Sequence, residues 1–311
     1  MADRLGILST LRGTGFAAAQ IAAVAGIPER SAADFLAAAS AAGIIVENPQ
    51  PGTFRAADDL DEWIYESGYL SWALNANRPF IEHVTEFLRR PEQAGTEYRR
   101  DGRQVAVSSQ WMGSRAFYPL ALSTIVEAKP RRAVDLGAGT ARLLIEVLQQ
   151  VPGSTAVALD IDAGACREAD AAARAAGLDD RLTVVERSIQ SVADDPEPLR
   201  DADIIHAGFV FHDLMPDEED VADAVLANCR RALRPGGILA ITEAVPYVPD
   251  ERERRFSTIV TYFHQQFMLR RLLTEQEWID KLSAAGFSTV TAARHRFPTG
   301  RLFVATNGSA E

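Results

Sequence analysis

Val134-Asp135-Leu136-Gly137-Ala138-Gly139-Thr140 is the stretch whose reading decides the fold of this chain. A hydrophobic run that ends in Asp and enters Gly-x-Gly-Thr predicts a strand, a tight turn and a helix beginning near Thr140. Two glycines let the backbone turn sharply and let a ligand approach without meeting a Cβ, while the helix aims its N-terminal amides at the same place. A nucleotide-like ligand suits such a turn. The next strand, Ala156-Val157-Ala158-Leu159, ends at Asp160, 21 residues beyond Gly139, about where an acidic residue would meet ribose hydroxyls. A dinucleotide site wants a third glycine three residues after the second. That position is Arg142, which disfavours NAD.

From Arg132 onward strands and helices alternate, with strands expected at 132–136, 155–160, 182–186, 202–208 and 237–243. This alternation predicts an α/β domain, a parallel sheet with helices on both faces. A long helix is expected from Arg252 to Leu272, then a second opened by the Thr274-x-x-Glu277 capping box and stopped at Gly286. Residues 288–296 and 301–306 flank Pro298-Thr299-Gly300 as a final hairpin. Towards the start, residues 1–57 read as short helices (5–11, 17–25, 31–42) and a small wing, a winged-helix-like pattern. Residues 58–128 carry helical spacing and many aromatics, with a polar break around Pro91 to Gly102, and are expected to link the domains and roof the active site. The third domain is then 129–311.

Charge narrows the partners. The 311 residues carry a formal net charge of −11 and two lysines, so counterion release on a polyanion cannot drive tight binding, and nucleic acid is not expected as a partner. Residues 1–60 hold four arginines against six acids, so dimerisation is expected of the winged-helix-like segment, giving a homodimer. No apolar run reaches the roughly 18 residues of a membrane span, and Met1-Ala2-Asp3-Arg4 lacks a basic n-region, so a cytoplasmic enzyme is expected. Cys166 and Cys229 show no Cys-x-x-Cys spacing and read as reduced thiols in packed helices.

The Asp-x-Gly-x-Gly-Thr turn, with a later strand after the Pro235-Gly236-Gly237 turn, resembles the class I S-adenosylmethionine-dependent methyltransferases. The resemblance implies a Rossmann-like class I sheet with a terminal antiparallel hairpin. It also implies cofactor contacts from Asp135, Gly137, Ala138, Gly139, Thr140, Asp160, Ile161, Ser188 and Ile189. One position departs: many relatives place an acid for the adenine amine after the third strand, where Glu186-Arg187-Ser188-Ile189 offers a serine.

After the fourth strand the chain presents Phe211-His212-Asp213-Leu214, beyond the carboxyl end of the sheet where ligands of open α/β folds bind. Neighbouring residues of a strand point to opposite faces, so His212 and Asp213 can serve one site only if the backbone bends there. Small-molecule O-methyltransferases of the plant and bacterial type carry His-Asp-Trp, with the His as general base. Here Leu214 replaces the Trp, and the chain is more similar to the metal-dependent 2-oxoacid C-methyltransferases. That resemblance, which includes 68–72 and the 98–102 turn, implies one iron or zinc ion held by His212, Asp213 and His264, the last 52 residues downstream of His212. It implies methylation of the β-carbon of a 2-oxo acid chelated to the metal, yielding a β-methyl amino-acid precursor for a peptide natural product, as in antibiotic biosynthesis. Phe256, Val260, Phe263 and Phe267 form one helical stripe, and His264 falls at its edge, facing inward.

The base that removes the β-proton stays open among a metal-bound hydroxide, His206, His83 and enolisation before binding. A negatively charged protein needs local positive charge for an anionic substrate, and Arg78, Arg99, Arg100, Arg103 and Arg115 cluster in the middle segment. Resemblance favours Arg100 for the substrate carboxylate, with Trp72, Phe209 and Leu269 as apolar walls. Two alternatives stand beside this reading: a metal-free O-methyltransferase with His212 as base, and a DNA-binding regulator that senses S-adenosylmethionine.

Overall fold

Alanine-rich helices and a small sheet build the first of two units, residues 1–76 with 101–112; residues 77–100 and 113 onward form the second. The structure, a computed structural model, describes residues 1–308, so the last three residues of the expected third domain lie outside it. With expected boundaries at 57 and 128, the middle segment is divided between the units.

In the first unit β1 (Phe16–Ala17), β2 (Ile45–Glu47) and β3 (Thr53–Ala56) make an antiparallel sheet in the order β1-β3-β2. Ile21 and Leu36, from the helices Ala18–Ala25 and Glu29–Ala41, bury against Ile7, Leu11, Phe16 and Ile45. The first expected helix is shorter than its apolar pattern, Leu8–Leu11, because Gly6 adopts a φ of +69°. The helix Leu60–Ser71 runs into a π-helical turn, Trp72–Ala76. At Gly68 a Cβ would lie 2.7 Å from Met112 Cγ, so this glycine permits close helix packing.

The second unit holds β4 (Arg132–Leu136), β5 (Thr155–Asp160), β6 (Leu182–Glu186), β7 (Ala202–Gly208), β8 (Leu233–Ala244), β9 (Thr289–Arg294) and β10 (Gly300–Thr306). Their order is β6-β5-β4-β7-β8-β10-β9, with β10 antiparallel to both neighbours and the β6-to-β8 pairs parallel. This is the α/β sheet, mostly parallel and closed by a terminal antiparallel hairpin, that the resemblance implies. The apolar runs of β4 and β5 are nearly continuous because helices cover both faces of the sheet. Strand order reverses between β4 and β7, and ligands of open α/β sheets bind at such a switch point.

Two expectations fail locally. The helix expected over 252–272 spans Arg254–Gln266, and the chain then leaves helical geometry, with Leu269 at a φ of +54°. The apolar stripe holds to Phe267, the C-cap residue, whose N–H still bonds the Phe263 carbonyl and whose ring buries against Phe80 and Phe87; only the residues beyond it leave the helix. Conversely the polar stretch after Pro91 forms a helix, Pro91–Glu97, with proline in its first turn. Among the described residues no helix is long and apolar enough to cross a membrane.

Candidate active site

The glycine turn is held by the strand next to it. Gly137 and Ala138 donate their backbone N–H groups to the Leu159 carbonyl at 2.8 and 3.0 Å. Gly137 has a φ of +72°, and a Cβ there would sit 2.2 Å from Val210 Cγ1, so both conformation and space require glycine. Asp160 closes the turn: one carboxylate oxygen accepts Gly139 N–H at 2.7 Å and the other accepts Asp162 N–H at 2.9 Å. The following helix begins at Arg142, two residues later than expected, after Ala141 at a φ of +56°.

A cavity of about 610 Å³ opens at the carboxyl ends of these strands, lined among others by Gly137, Asp160, Ile161, Ser188, Ile189 and Asp213. These residues fit an adenosyl nucleoside: an acidic side chain at the strand end, an apolar pair for a base, and glycine backbone beyond. Ala138, Gly139, Thr140 and Asp135 are not among the lining residues. Asp135 turns away, its carboxylate bonded to His206 Nδ1 at 2.7 Å in a buried pair. With His206 Nε2 3.4 Å from Thr242 Oγ1, both of its nitrogens face protein groups. His83 lies flat on Tyr98, with ring centroids 3.7 Å apart.

Strand β7 ends at Gly208, and Phe209 adopts a φ of +56°, the bend that His212 and Asp213 require to share a site. The turn Phe211–Leu214 is anchored by Phe211, whose buried ring meets Trp278 edge-on at 5.8 Å. Burying such a ring stabilises by roughly 2 to 3 kcal/mol, which fixes the backbone that carries His212. Phe209 packs on Phe117 and Phe297. Leu269 is partly exposed, and Trp72 belongs to the first unit.

His212 and His264 stand ring to ring, centroids 5.1 Å apart and 81° between planes. His212 Nδ1 bonds Glu243 Oε2 at 2.9 Å, and Glu243 Oε1 accepts the backbone N–H groups of Phe211 and His212. Burial opposes charge on His212, but the Glu243 carboxylate outweighs it and lifts the imidazole above its ordinary value. His264 Nδ1 lies 2.7 Å from the Val260 carbonyl, which can only accept, so that nitrogen carries the hydrogen. Burial, and then the neighbouring His212, hold His264 neutral down to a pKa of about 3.

Arg100 completes the cluster. Burial lowers its guanidinium to a pKa of about 10 against the opposing pull of Asp213, and its Nε has no hydrogen-bond partner among the described residues. Its Nη1 approaches Met268 Sδ at 3.4 Å, and its Cζ stands 6.0 Å from the Phe80 ring. A partly buried guanidinium with one N–H unsatisfied is costly, and an anionic ligand would offset that cost. The other arginines differ: Arg78 pairs with Glu82 and Arg103 with Asp3, both at the surface.

Among the described residues no group of three or more His, Cys, Asp or Glu side chains is assembled around a metal position. The two histidines nevertheless fit ligation, each with Nδ1 bound to an acceptor, so that Nε2 is the nitrogen left to ligate: His264 is neutral already, and His212 would give up its proton to the metal. Asp213 is the unassembled part, exposed, 3.7 Å from His212 Nε2 and 3.6 Å from Arg270 Nε.

Glu243 is absent from the expected site, although an acid within the apolar run Ile238–Ala244 was a signal, since a buried strand tolerates a carboxylate only with partners. Arg270 was also missed, because a helix was expected where the chain departs from one.

Residues 134–239 match the family model described as a methyltransferase domain. The chain is similar to aclacinomycin 10-hydroxylase of Streptomyces purpurascens, 31% identical over 51% of this chain and 40% of that one. It is also similar to 2-ketoarginine methyltransferase of Streptomyces arginensis, 30% identical over 62% of this chain and 57% of that one. The chain thus spans about half the length of the curated relatives it matches. Among solved structures, an O-methyltransferase family protein from Burkholderia thailandensis superposes with a TM-score of 0.61 at 20% identity, covering 100% of this chain and 92% of that one. Human N-acetylserotonin methyltransferase in complex with SAM does so at 0.62 and 16% identity, covering 99% and 92%. At these identities the structures establish the fold.

Proposed function

We propose that this chain, which carries a class I S-adenosylmethionine-dependent methyltransferase domain, methylates the β-carbon of a 2-oxo acid. The observation that carries the reading is Arg100, a partly buried guanidinium with an unpartnered Nε, beside His212 and the neutral His264. Its planar fork suits a carboxylate. The relative named 2-ketoarginine methyltransferase supports the same substrate class.

In this reading Arg100 holds the substrate carboxylate, and the desolvated surroundings of Phe80 and Met268 strengthen that attraction. His212, His264 and, on reorientation, Asp213 would hold a single iron or zinc ion. Bound there, the metal supplies Lewis acidity towards the keto oxygen, which makes the β-hydrogens acidic. Glu243 keeps His212 in one tautomer with Nε2 free, and Val260 does the same for His264. The fixed turn Phe211–Leu214 aligns the β-carbon with the methyl group, a contribution of proximity and orientation. The product is a β-methyl 2-oxo acid, suited to a biosynthetic role. A homodimer is part of the proposal, supported by Trp63 and Leu70, exposed seven residues apart on one helix of the first unit.

The His212–Glu243 bond favours a second reading, metal-free O-methylation with His212 as general base, since the carboxylate raises the basicity of the imidazole. Metal analysis and product regiochemistry separate the two. The first reading expects bound metal in wild type and its loss in His212→Ala and His264→Ala. β-Deuterated phenylpyruvate or 4-methyl-2-oxopentanoate should lose one deuterium per methyl gained, and a chelator should stop turnover. Methylation of a phenolic oxygen that persists in excess chelator would overturn it in favour of the second.

A further inference from the structure

Gln190 and Glu218 form a pair on the cofactor cavity that the chemistry above leaves unused. The cavity runs from the glycine turn past Asp160 and Ile161 to Ser188, Ile189 and Gln190, with Glu218 contributed from beyond the His212 turn. If Asp160 meets the ribose, the base lies at the Gln190 end. The serine expected there is already engaged: its hydroxyl accepts Ser191 N–H at 3.3 Å, and its carbonyl accepts the Ser191 hydroxyl at 2.6 Å. Gln190 instead donates from Nε2 to Glu218 Oε2 at 3.0 Å. Glu218 is itself held, its backbone N–H bonded to the Leu214 carbonyl at 2.8 Å.

We propose that Gln190, oriented by Glu218, reads the hydrogen-bonding edge of adenine and selects it over a 6-oxopurine. The inference rests on the cavity taking S-adenosylmethionine. Adenine presents an amine donor beside the N1 acceptor, and a carboxamide answers both, its oxygen to the amine and its second Nε2 hydrogen to N1. A hypoxanthine edge is the reverse, an O6 acceptor beside an N1–H donor. Gln190 could serve that edge by flipping its amide, but the flip would turn Oε1 towards the Glu218 carboxylate, acceptor against acceptor. Glu218 therefore sets the selectivity and Gln190 makes the contact. This places the missing acid on a different element, one step behind the amide.

Calorimetry with S-adenosylhomocysteine and with S-inosylhomocysteine tests this on the whole chain. Wild type should prefer the adenosyl compound by about tenfold or more, the worth of a partly exposed hydrogen-bond pair. Glu218→Gln should keep binding S-adenosylhomocysteine within a few-fold while its preference collapses towards unity, because the flip is no longer opposed. Gln190→Leu should weaken the adenosyl compound about tenfold. A preference unchanged in Glu218→Gln, or an adenosyl affinity unchanged in Gln190→Leu, overturns the inference. Failure of wild type to bind S-adenosylhomocysteine at all would instead overturn the methyltransferase reading on which it rests.

Discussion

Glu243 Oε2 lies 2.9 Å from His212 Nδ1 while its other oxygen accepts the backbone N–H groups of Phe211 and His212 at 3.0 and 3.3 Å. One buried carboxylate thus fixes both the ring and the main chain of the same residue, from a strand end 31 positions away.

Glu243→Gln should lower kcat by about a hundredfold or more, the scale expected when an imidazole loses its orienting carboxylate, with S-adenosylhomocysteine affinity nearly unchanged. Glu243→Ala should also lower stability by roughly 1 to 3 kcal/mol, because two backbone donors lose their acceptor. Steady-state kinetics and chemical denaturation check the pair. A kcat unaffected by Glu243→Gln would mean that the bond is structural only.

Arg100→Met should reduce kcat/KM for a 2-oxo acid by roughly a hundredfold or more, the loss of a charge-assisted bidentate contact. Folding stability should hold or rise, since a partly desolvated charge with an unsatisfied Nε–H is removed. Arg100→Lys should not rescue the loss, because a point charge lacks the guanidinium fork. The same KM in Arg100→Met would move carboxylate recognition elsewhere.

Asp160→Ala should weaken S-adenosylmethionine binding by about 1 to 3 kcal/mol. It removes the proposed ribose acceptor and also the bond that holds Gly139 N–H. Calorimetry decides, and equal affinities would mean that the strand end does not meet the ribose.

His295 predicts an acid limb in stability. It is buried, neither ring nitrogen has a partner among the described residues, and burial, followed by the nearby His206 and Arg301, lowers its pKa to about 4. An unfolded histidine titrates near about 6.5, so between these values the unfolded chain binds the extra proton. Stability from this group is therefore full above about pH 6.5 and is lost as pH falls towards 4, by up to about 1.4 kcal/mol per pH unit. His295→Leu should flatten that limb relative to wild type in denaturation series across this range. Parallel curves would show that His295 takes up its proton without cost.

Much of this was legible from residue order. The Gly137–Gly139 turn, the strands before and after it, Asp160 at its strand end and the Thr274–Glu277 capping box are local features, set by backbone conformation and side-chain period. His212 and Asp213 could be singled out by family resemblance, and the bend that lets them share a site is the positive φ of Phe209. The expected helix ran too far because apolar residues continue after Phe267 (Met268, Leu269, Leu272), while the positive φ of Leu269 takes the chain out of helical geometry. Among five candidate arginines no pattern separates Arg100 from Arg78 or Arg103.

Residue order by itself determined the α/β sheet, its glycine turn and its terminal hairpin, because turn chemistry and the periodicities of helix and strand act between near neighbours. Tertiary structure alone decided which polar groups lose water and to whom they turn. Glu243 reaches His212 from the neighbouring strand, Arg100 meets Met268 from 168 residues away, and Gln190 meets Glu218 across the mouth of the cavity. Desolvation and hydrogen-bond pairing depend on what the whole fold brings alongside, and no local pattern encodes that.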